Sequence, residues 1–383
     1  MTKLLIDGWY LGTDGVGLAV YARWVTSVLL DLAPKLRCEM KIAVPAGYST
    51  PKCASASAAN TLRLRCPGTG QPLLDHALWS NRLGAYCAAQ GRKCILFSPA
   101  PFWSAISAPR NVVVYHDCIY RHFPKYLGRL WLRKWLTYKS EAFLAGCTAV
   151  ITDSKFSKEE IIRYSHVESS RVNVIPLWLP DEYNMESARR NAAAVRKTYG
   201  LPEHFWLYVG GYDYRKNVNV LLDAYARASA VMECPPLVLA GAIPTTTSET
   251  LCDVAGALNR LKLNNSRVLK PGFIAGKDMP GLYGAAELLI YPSLCEGFGL
   301  PPLEAMGCGC PAVVADNSSL PEVVRDSNYR FPATAAGPLV EILQRAAKTP
   351  LALNPSFTRE SCRAGNAAEQ YVNLLQRVIA DGD

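Results

Sequence analysis

Short apolar runs rich in β-branched residues alternate with longer amphipathic segments along almost the whole chain, and that alternation leaves few folds open. A strand that is apolar throughout must be covered on both faces, and a helix after each strand supplies the cover. The result is a parallel sheet wrapped by helices. Strands are expected near residues 4–7, 41–44, 62–65, 95–98, 112–116, 149–153 and 172–175, and again near 206–210, 237–241, 268–271, 288–291 and 312–315. After Pro176-Leu-Trp-Leu-Pro180, a polar segment from Asp181 to Lys197 precedes the next strand. The spacing predicts two Rossmann-like, doubly wound α/β domains facing each other across a cleft, residues 1–180 and 181–358, with a final helical segment in 359–383.

Half of the 383 residues are hydrophobic and 19% are charged, enough apolar material for two sizeable cores. Forty-one basic against 32 acidic residues give a net charge of +9, which suits anionic ligands or an anionic membrane surface. Nucleic acid would call for a denser basic patch, so none is expected as a partner. The 13 cysteines form no Cys-x-x-Cys pair, and Cys308-Gly-Cys310 has no companion cluster at metal-ligand spacing, which points to reduced thiols. The start, Met1-Thr-Lys-Leu-Leu-Ile-Asp7, reaches an acid too early for a signal peptide, and no apolar run approaches the ~18 residues of a membrane helix. A cytoplasmic protein is expected, at most attached to the inner face of a membrane.

One stretch concentrates chemistry. Residues 287–292 read as a buried strand, Glu296-Gly-Phe-Gly299 as a tight loop at its carboxyl end, and Pro301-Pro302 as the opening of a helix. In an open parallel sheet, ligands sit outside the carboxyl ends of strands, so Glu296 on the loop and Glu304 in the first helical turns flank a candidate site. A carboxylate accepts two hydrogen bonds from a vicinal diol, and two carboxylates on different elements can hold two diols, as a nucleotide sugar would offer. By themselves, however, the two glutamates read more simply as a helix-dipole complement and a solvated loop residue.

Residues 292–306, Pro-Ser-Leu-Cys-Glu-Gly-Phe-Gly-Leu-Pro-Pro-Leu-Glu-Ala-Met, resemble the donor-site signature of retaining glycosyltransferases of the glycogen-synthase and sucrose-synthase-like superfamily. The likeness is strongest to family 4 (glycosyl transferases group 1) and to its bacterial polysaccharide and O-antigen mannosyltransferases. It implies the GT-B fold, a last helix that returns to the first domain, Glu296 beside the donor sugar, and Glu304 on the nucleotide ribose, with Gly297, Phe298, Gly299 and Leu300 lining the donor.

Other segments fit the same resemblance. Gly15-Val-Gly17 opens a helical run at residues 18–32 and is similar to the family's first glycine loop beside the donor phosphates, although Asp14 stands where many relatives carry glycine. His116-Asp117 follows a strand; alone it reads as a locally satisfied histidine, whereas relatives use the histidine side chain on the transferred sugar and its carbonyl as a proton acceptor. Val209-Gly-Gly-Tyr-Asp-Tyr-Arg-Lys-Asn217 matches the family's phosphate loop, making Arg215 and Lys216 the candidate diphosphate ligands and Gly210 or Gly211 a point of close backbone approach. Phe273 and Ile274 resemble the backbone that reads the nucleobase.

Residues 120–139 interleave Arg121, Lys125, Arg129, Arg133, Lys134 and Lys139 with Tyr126, Trp131 and Trp135. Read as one helix they give an apolar face and a basic edge, equally a core helix or a membrane-surface segment suited to a lipid-pyrophosphate acceptor. Ser154 or Ser157 and Ser319 are read as helix caps.

The only Asp-x-Asp spelling, Asp381-Gly-Asp383, lies at the tail, so the expected chemistry needs no metal and no cofactor: Arg215, Lys216 and helix N-termini stabilise the departing diphosphate. The resemblance implies retention of configuration with attack from the leaving-group face, while a covalent intermediate on Glu296 stays open. The expected activity is a hexosyl transfer from a nucleotide-diphosphate sugar, GDP-mannose first and UDP-sugars next, to a glycan or lipid-linked glycan in bacterial surface polysaccharide synthesis. Competing classes are an oxidoreductase, which lacks the third glycine of its fingerprint, an epimerase, a phosphorylase, and a non-catalytic sugar-binding protein.

Overall fold

In the computed structural model the described residues are 2–12, 17–47, 60–66, 68–100, 108–128, 131–244 and 248–381. They form two compact units. The first is built from Met1–Cys118, Gly128–Pro176 and Gly365–Asp383, the second from Ile119–Leu127 and Leu177–Ala364.

Seven strands make the sheet of the first unit: β1 (Lys3–Asp7), β2 (Glu39–Pro45), β3 (Thr61–Leu64), β4 (Cys94–Ser98), β5 (Asn111–Val114), β6 (Ala149–Thr152) and β7 (Val172–Val174). They lie in the order β3-β2-β1-β4-β5-β6-β7, all parallel. Every residue of β4, β5 and β6 is buried, as it must be when helices cover both faces. The last helix, Ala364–Ala380, belongs to this unit and buries Tyr371, Leu374, Leu375 and Val378. The Tyr371 hydroxyl meets that of Tyr21 at 2.5 Å, and Gln376 Nε2 donates to the Lys35 carbonyl at 3.2 Å.

The second unit carries β8 (Trp206–Val209), β9 (Leu237–Ala240), β10 (Val268–Gly272), β11 (Leu288–Tyr291), β12 (Ala312–Ala315) and β13 (Arg330–Phe331), in the order β10-β9-β8-β11-β12-β13, again all parallel. Leu207, Leu239, Ile290 and Val313 are fully buried at its centre. The chain builds outward from β8 to β10, then returns to the far side of β8 and builds outward again from β11. Helices that leave β8 and β11 therefore cover opposite faces, and the loops after these two strands diverge to leave a crevice. The sequence places Gly210–Lys216 after one strand and Pro292–Gly299 after the other.

All twelve expected strands are present, most within two residues of their expected ends; only the two-residue β13 is additional among the described residues. Three expectations change. The domain break expected after Pro180 falls after Pro176, because the Leu179 N–H already donates to the Cys362 carbonyl of the second unit (2.8 Å). The final helix begins at Ala364 rather than Arg359, the preceding residues forming a separate tight turn at Arg359–Cys362.

Residues 120–138 are not one helix. A short helix, Ile119–His122, ends before Pro124, a tight turn covers Pro124–Leu127, and a new helix runs Trp131–Phe143. Proline cannot donate within a helix, and Gly128 adopts a left-handed φ of 70° that no helix tolerates, so the periodic pattern is cut twice.

Candidate active site

At the carboxyl end of β8 the chain makes a tight turn, Tyr214–Lys216, closed by the Lys216 N–H on the Asp213 carbonyl (2.9 Å). Asn217 then takes a left-handed conformation, φ 56°, and its side-chain amide donates to the carbonyls of Pro292 (3.1 Å) and Ala333 (2.9 Å). The turn is thereby tied to the loops after β11 and β13. Opposite it, Gly299 caps the helix Leu300–Gly307 with φ 114°, a conformation that L residues avoid, and a Cβ there would lie 2.9 Å from Leu320 Cδ2.

These two loops bring Arg215, Lys216 and Glu296 into direct contact. Glu296 Oε1 receives Lys216 Nζ at 2.7 Å and the Tyr291 hydroxyl at 3.0 Å, and Lys216 Nζ also donates to Tyr291 Oη at 2.7 Å. Glu296 Oε2 receives Arg215 Nη1 at 2.8 Å, and the same nitrogen reaches the Cys295 carbonyl at 2.8 Å. Arg215 Nε lies 3.5 Å from Asp213 Oδ1. The loop carrying Glu296 is held from behind: its N–H donates to Ser318 Oγ (3.0 Å), and Ser319 Oγ donates to the carbonyls of Glu296 (2.9 Å) and Phe298 (2.8 Å). Ser319 is thus a brace for the loop and not the helix cap its position suggested, since its hydroxyl makes no capping bond to the helix Leu320–Val323.

Burial pushes the Glu296 carboxyl up, but Lys216 and Arg215 outweigh it and hold the group down at about 2. Arg215, whose charge burial opposes, is held well above its ordinary value by Glu296 and Asp213. Burial first, then the Glu296 charge, keeps Tyr291 a neutral hydroxyl able to accept from Lys216 while donating to Glu296. Two fixed cations therefore share one fixed carboxylate. An ammonium has three N–H groups, and among the described residues Lys216 spends two of them; Arg215 Nη2 likewise has no partner there. The spare donors suit an anionic ligand at the crevice.

Glu304 lies in the fifth position of the helix Leu300–Gly307 and faces a different environment. The Tyr283 hydroxyl donates to Glu304 Oε2 at 2.9 Å, and Tyr183 also hydrogen-bonds it. Among the described residues no cation offsets its desolvation, which raises the carboxyl to about 7 despite those two bonds. Phe273 and Ile274 follow β10, the edge strand, with Phe273 70% exposed and Ile274 buried. The Gly211 carbonyl accepts the Tyr208 hydroxyl.

A profile of the family described as glycosyl transferases group 1 matches residues 194–356. The O-antigen chain mannosyltransferase B of Escherichia coli is 30% identical over 277 residues, 72% of this chain and 71% of that one. The chain belongs to the glycosyl transferases group 1 family.

The chain is also 31% identical over 218 residues to the serotype-specific mannosyltransferase WbdA of E. coli, covering 56% of the present chain but only 26% of WbdA. Its fold matches that of Anabaena HepE, solved in complex with UDP, with a TM-score of 0.61 at 18% identity, covering 100% of this chain and 99% of that one. The paired parallel sheets are those of the GT-B fold.

The remaining expected site residues lie in the first unit. His116 follows β5 with its Nδ1 2.6 Å from Asp153 Oδ2, while its ring meets that of Tyr21 in a T-shaped contact, 4.6 Å between centroids. Burial lowers the imidazole, yet Asp153 and then Asp117 raise it above its ordinary value, which favours the protonated form. The His116 carbonyl accepts Thr152 Oγ1 at 3.2 Å. Gly17 caps the helix Leu18–Leu36, and Gly15 lies outside the described residues.

Partners that motif reading did not reveal are Tyr126, Asp213, Asn217, Tyr291 and Ser319. Asp213 and Asn217 stood in the phosphate-loop spelling, and Tyr291 ended an expected strand; Tyr126 and Ser319 carried no local signal for these roles.

Proposed function

We infer that this chain is a retaining, metal-independent hexosyltransferase that takes a nucleotide-diphosphate sugar, GDP-mannose in preference to UDP-sugars, and passes the sugar to a glycan or lipid-linked glycan of a bacterial surface polysaccharide. The observation that carries this reading is the convergence of Arg215 and Lys216 on Glu296 at the crevice between β8 and β11. A diphosphate that departs as the anomeric C–O bond breaks gathers negative charge, and two cations already oriented by a buried carboxylate meet that charge without reorganising. The acceptor hydroxyl attacks from the same face, its oxygen forms the new bond, and its proton leaves with the diphosphate. Glu296, ionised throughout the physiological range, cannot serve as an acid; it orients the cations and accepts hydroxyls of the donor sugar. Glu304 receives the ribose diol, and His116, oriented by Asp153, contacts the transferred sugar.

The mannosyl preference rests on the two E. coli relatives, both named as mannosyltransferases. Binding of UDP by HepE supports a nucleotide donor and keeps UDP-sugars second. Peripheral contact with an anionic membrane is supported by Trp131, 71% exposed, and by half-exposed Trp135 with Lys139 over its ring at 5.9 Å. No helix among the described residues is long and apolar enough to cross a membrane.

The test is a binding and hydrolysis screen of GDP-, UDP-, ADP- and dTDP-sugars with EDTA present. GDP-mannose is expected to bind and to be slowly hydrolysed, and Lys216→Ala to slow turnover by about 10²–10³-fold, the usual effect of deleting one preorganised donor. Turnover unchanged in both Lys216→Ala and Arg215→Ala would overturn the assignment.

A further inference from the structure

In the turn that presents Arg215 and Lys216, the backbone N–H groups of residues 214–217 donate to main-chain carbonyls with one exception. Tyr214 donates to Thr250 (2.8 Å), Lys216 to Asp213 (2.9 Å) and Asn217 to Tyr214 (3.1 Å). The Arg215 N–H instead donates to the hydroxyl of Tyr126, 89 residues away in sequence, at 2.7 Å. That hydroxyl in turn donates to Asp213 Oδ1 at 3.1 Å, and Asp213 Oδ1 is the atom 3.5 Å from Arg215 Nε. One phenol thus accepts from the main chain of Arg215 and donates to the carboxylate beside its guanidinium.

Tyr126 is itself held. Its ring stacks on Phe123 at 5.6 Å with a 22° interplanar angle, and its N–H donates to the Phe123 carbonyl at 3.0 Å. The neighbouring Lys125–Glu249 pair, 3.1 Å apart, is exposed on both sides and adds little. Burial raises the Tyr126 phenol to about 12, so the hydroxyl keeps its proton and can play both parts at any physiological pH.

We propose that Tyr126 is a positioning residue for the transfer reaction, its hydroxyl fixing the 213–216 turn so that the Arg215 guanidinium is aimed at the donor diphosphate before the ligand arrives. Tyr126 touches neither sugar nor phosphate; it acts through Arg215. The inference rests on the reading of Arg215 as a diphosphate ligand. Without the hydroxyl, the Arg215 N–H and Asp213 Oδ1 both lose a bond, Asp213 becomes free to pull the guanidinium toward itself, and the cation is presented in several directions instead of one.

The experiment is a double-mutant cycle on the full chain with Tyr126→Phe and Arg215→Ala, reading the Kd for GDP and for UDP by calorimetry and the donor kcat and KM. Tyr126→Phe keeps the ring stack, so its melting temperature is expected within a few degrees of the parent. Its nucleotide affinity is expected to fall about tenfold, the scale of one hydrogen bond to a charged group, with kcat reduced alongside. In the Arg215→Ala background the same change is expected to do nothing further, because the path through which Tyr126 acts is gone. Tyr126→Phe with parental affinity and kcat, or an equal loss in both backgrounds, would overturn the role of Tyr126 while leaving Arg215 in place. Parental affinity and turnover in Arg215→Ala, or no nucleotide binding by the parent, would overturn the donor-site reading and Tyr126 with it.

Discussion

Glu296 and Glu304 belong to one loop and the helix it feeds, yet their surroundings drive them in opposite directions. Glu296 is buried and Glu304 partly so; two cations face the first and two phenols the second. The Glu304 carboxyl, ordinarily near 4.5, sits near 7 in the folded chain, so the folded state holds a proton that the unfolded state has released. Its contribution to stability is complete below about pH 4.5 and is lost as pH rises through 7. A ribose diol needs the ionised form as acceptor, so nucleotide affinity is expected to move the other way, rising through pH 7 and levelling above it. Glu304→Gln is expected to flatten both profiles, raising stability at pH 8 while weakening nucleotide binding at that pH. Calorimetric binding and thermal melts between pH 5 and 8.5 check this, and an unchanged slope in Glu304→Gln would refute it. Glu296 has the opposite sign, its stability contribution being present above about 4.5 and lost as pH falls toward 2.

At the scale of elements, the site is a junction of three loops, and Asn217 is the pin. Its amide joins the turn after β8 to the carbonyl ends of the loops after β11 and β13, from a backbone conformation that alanine resists. Asn217→Ala removes two buried hydrogen bonds and adds strain, an expected loss of about 2–4 kcal/mol seen as a lower denaturation midpoint, with weaker nucleotide binding. A variant as stable as the parent would show that the loops hold their places without it. The strands that deliver these loops were legible because parallel strands buried on both faces are apolar throughout, and Gly299 and Pro301 mark the helix start by their own backbone chemistry. Arg215, Lys216 and Glu296 were legible through motif spelling. The bonds among the loops were not. Ser319 looks like a cap because serine before a helix usually is one, and only the folded chain shows its hydroxyl turned to the Glu296 and Phe298 carbonyls. The basic aromatic run near residue 130 misled in the other direction, since a 3.6-residue period persists on paper through Pro124 and Gly128 although the backbone cannot follow it.

For the molecule as a whole, the order of the chain and the order of the units disagree. The final helix Ala364–Ala380 follows the second unit in sequence but completes the first, burying Tyr371, Leu374, Leu375 and Val378. At about 1.5–3 kcal/mol for each large side chain, their removal costs as much as a typical domain's entire stability. A chain ending at Arg363 is therefore expected to leave the first unit without a cooperative melting transition and to bind a hydrophobic dye. Tyr371→Phe, which deletes only the bond to Tyr21, is expected to melt a few degrees early. A truncated chain with a parental melting curve would refute the role given to this helix. The same interleaving bears on how such genes recombine. Since Ile119–Leu127 belongs with Leu177–Ala364, no single crossover parts the two units. A hybrid gene joined at codon 177 pairs a Tyr126 from one parent with an Arg215 from the other, and only an exchange that carries the short 119–127 insert along with the second half keeps that pair in one lineage.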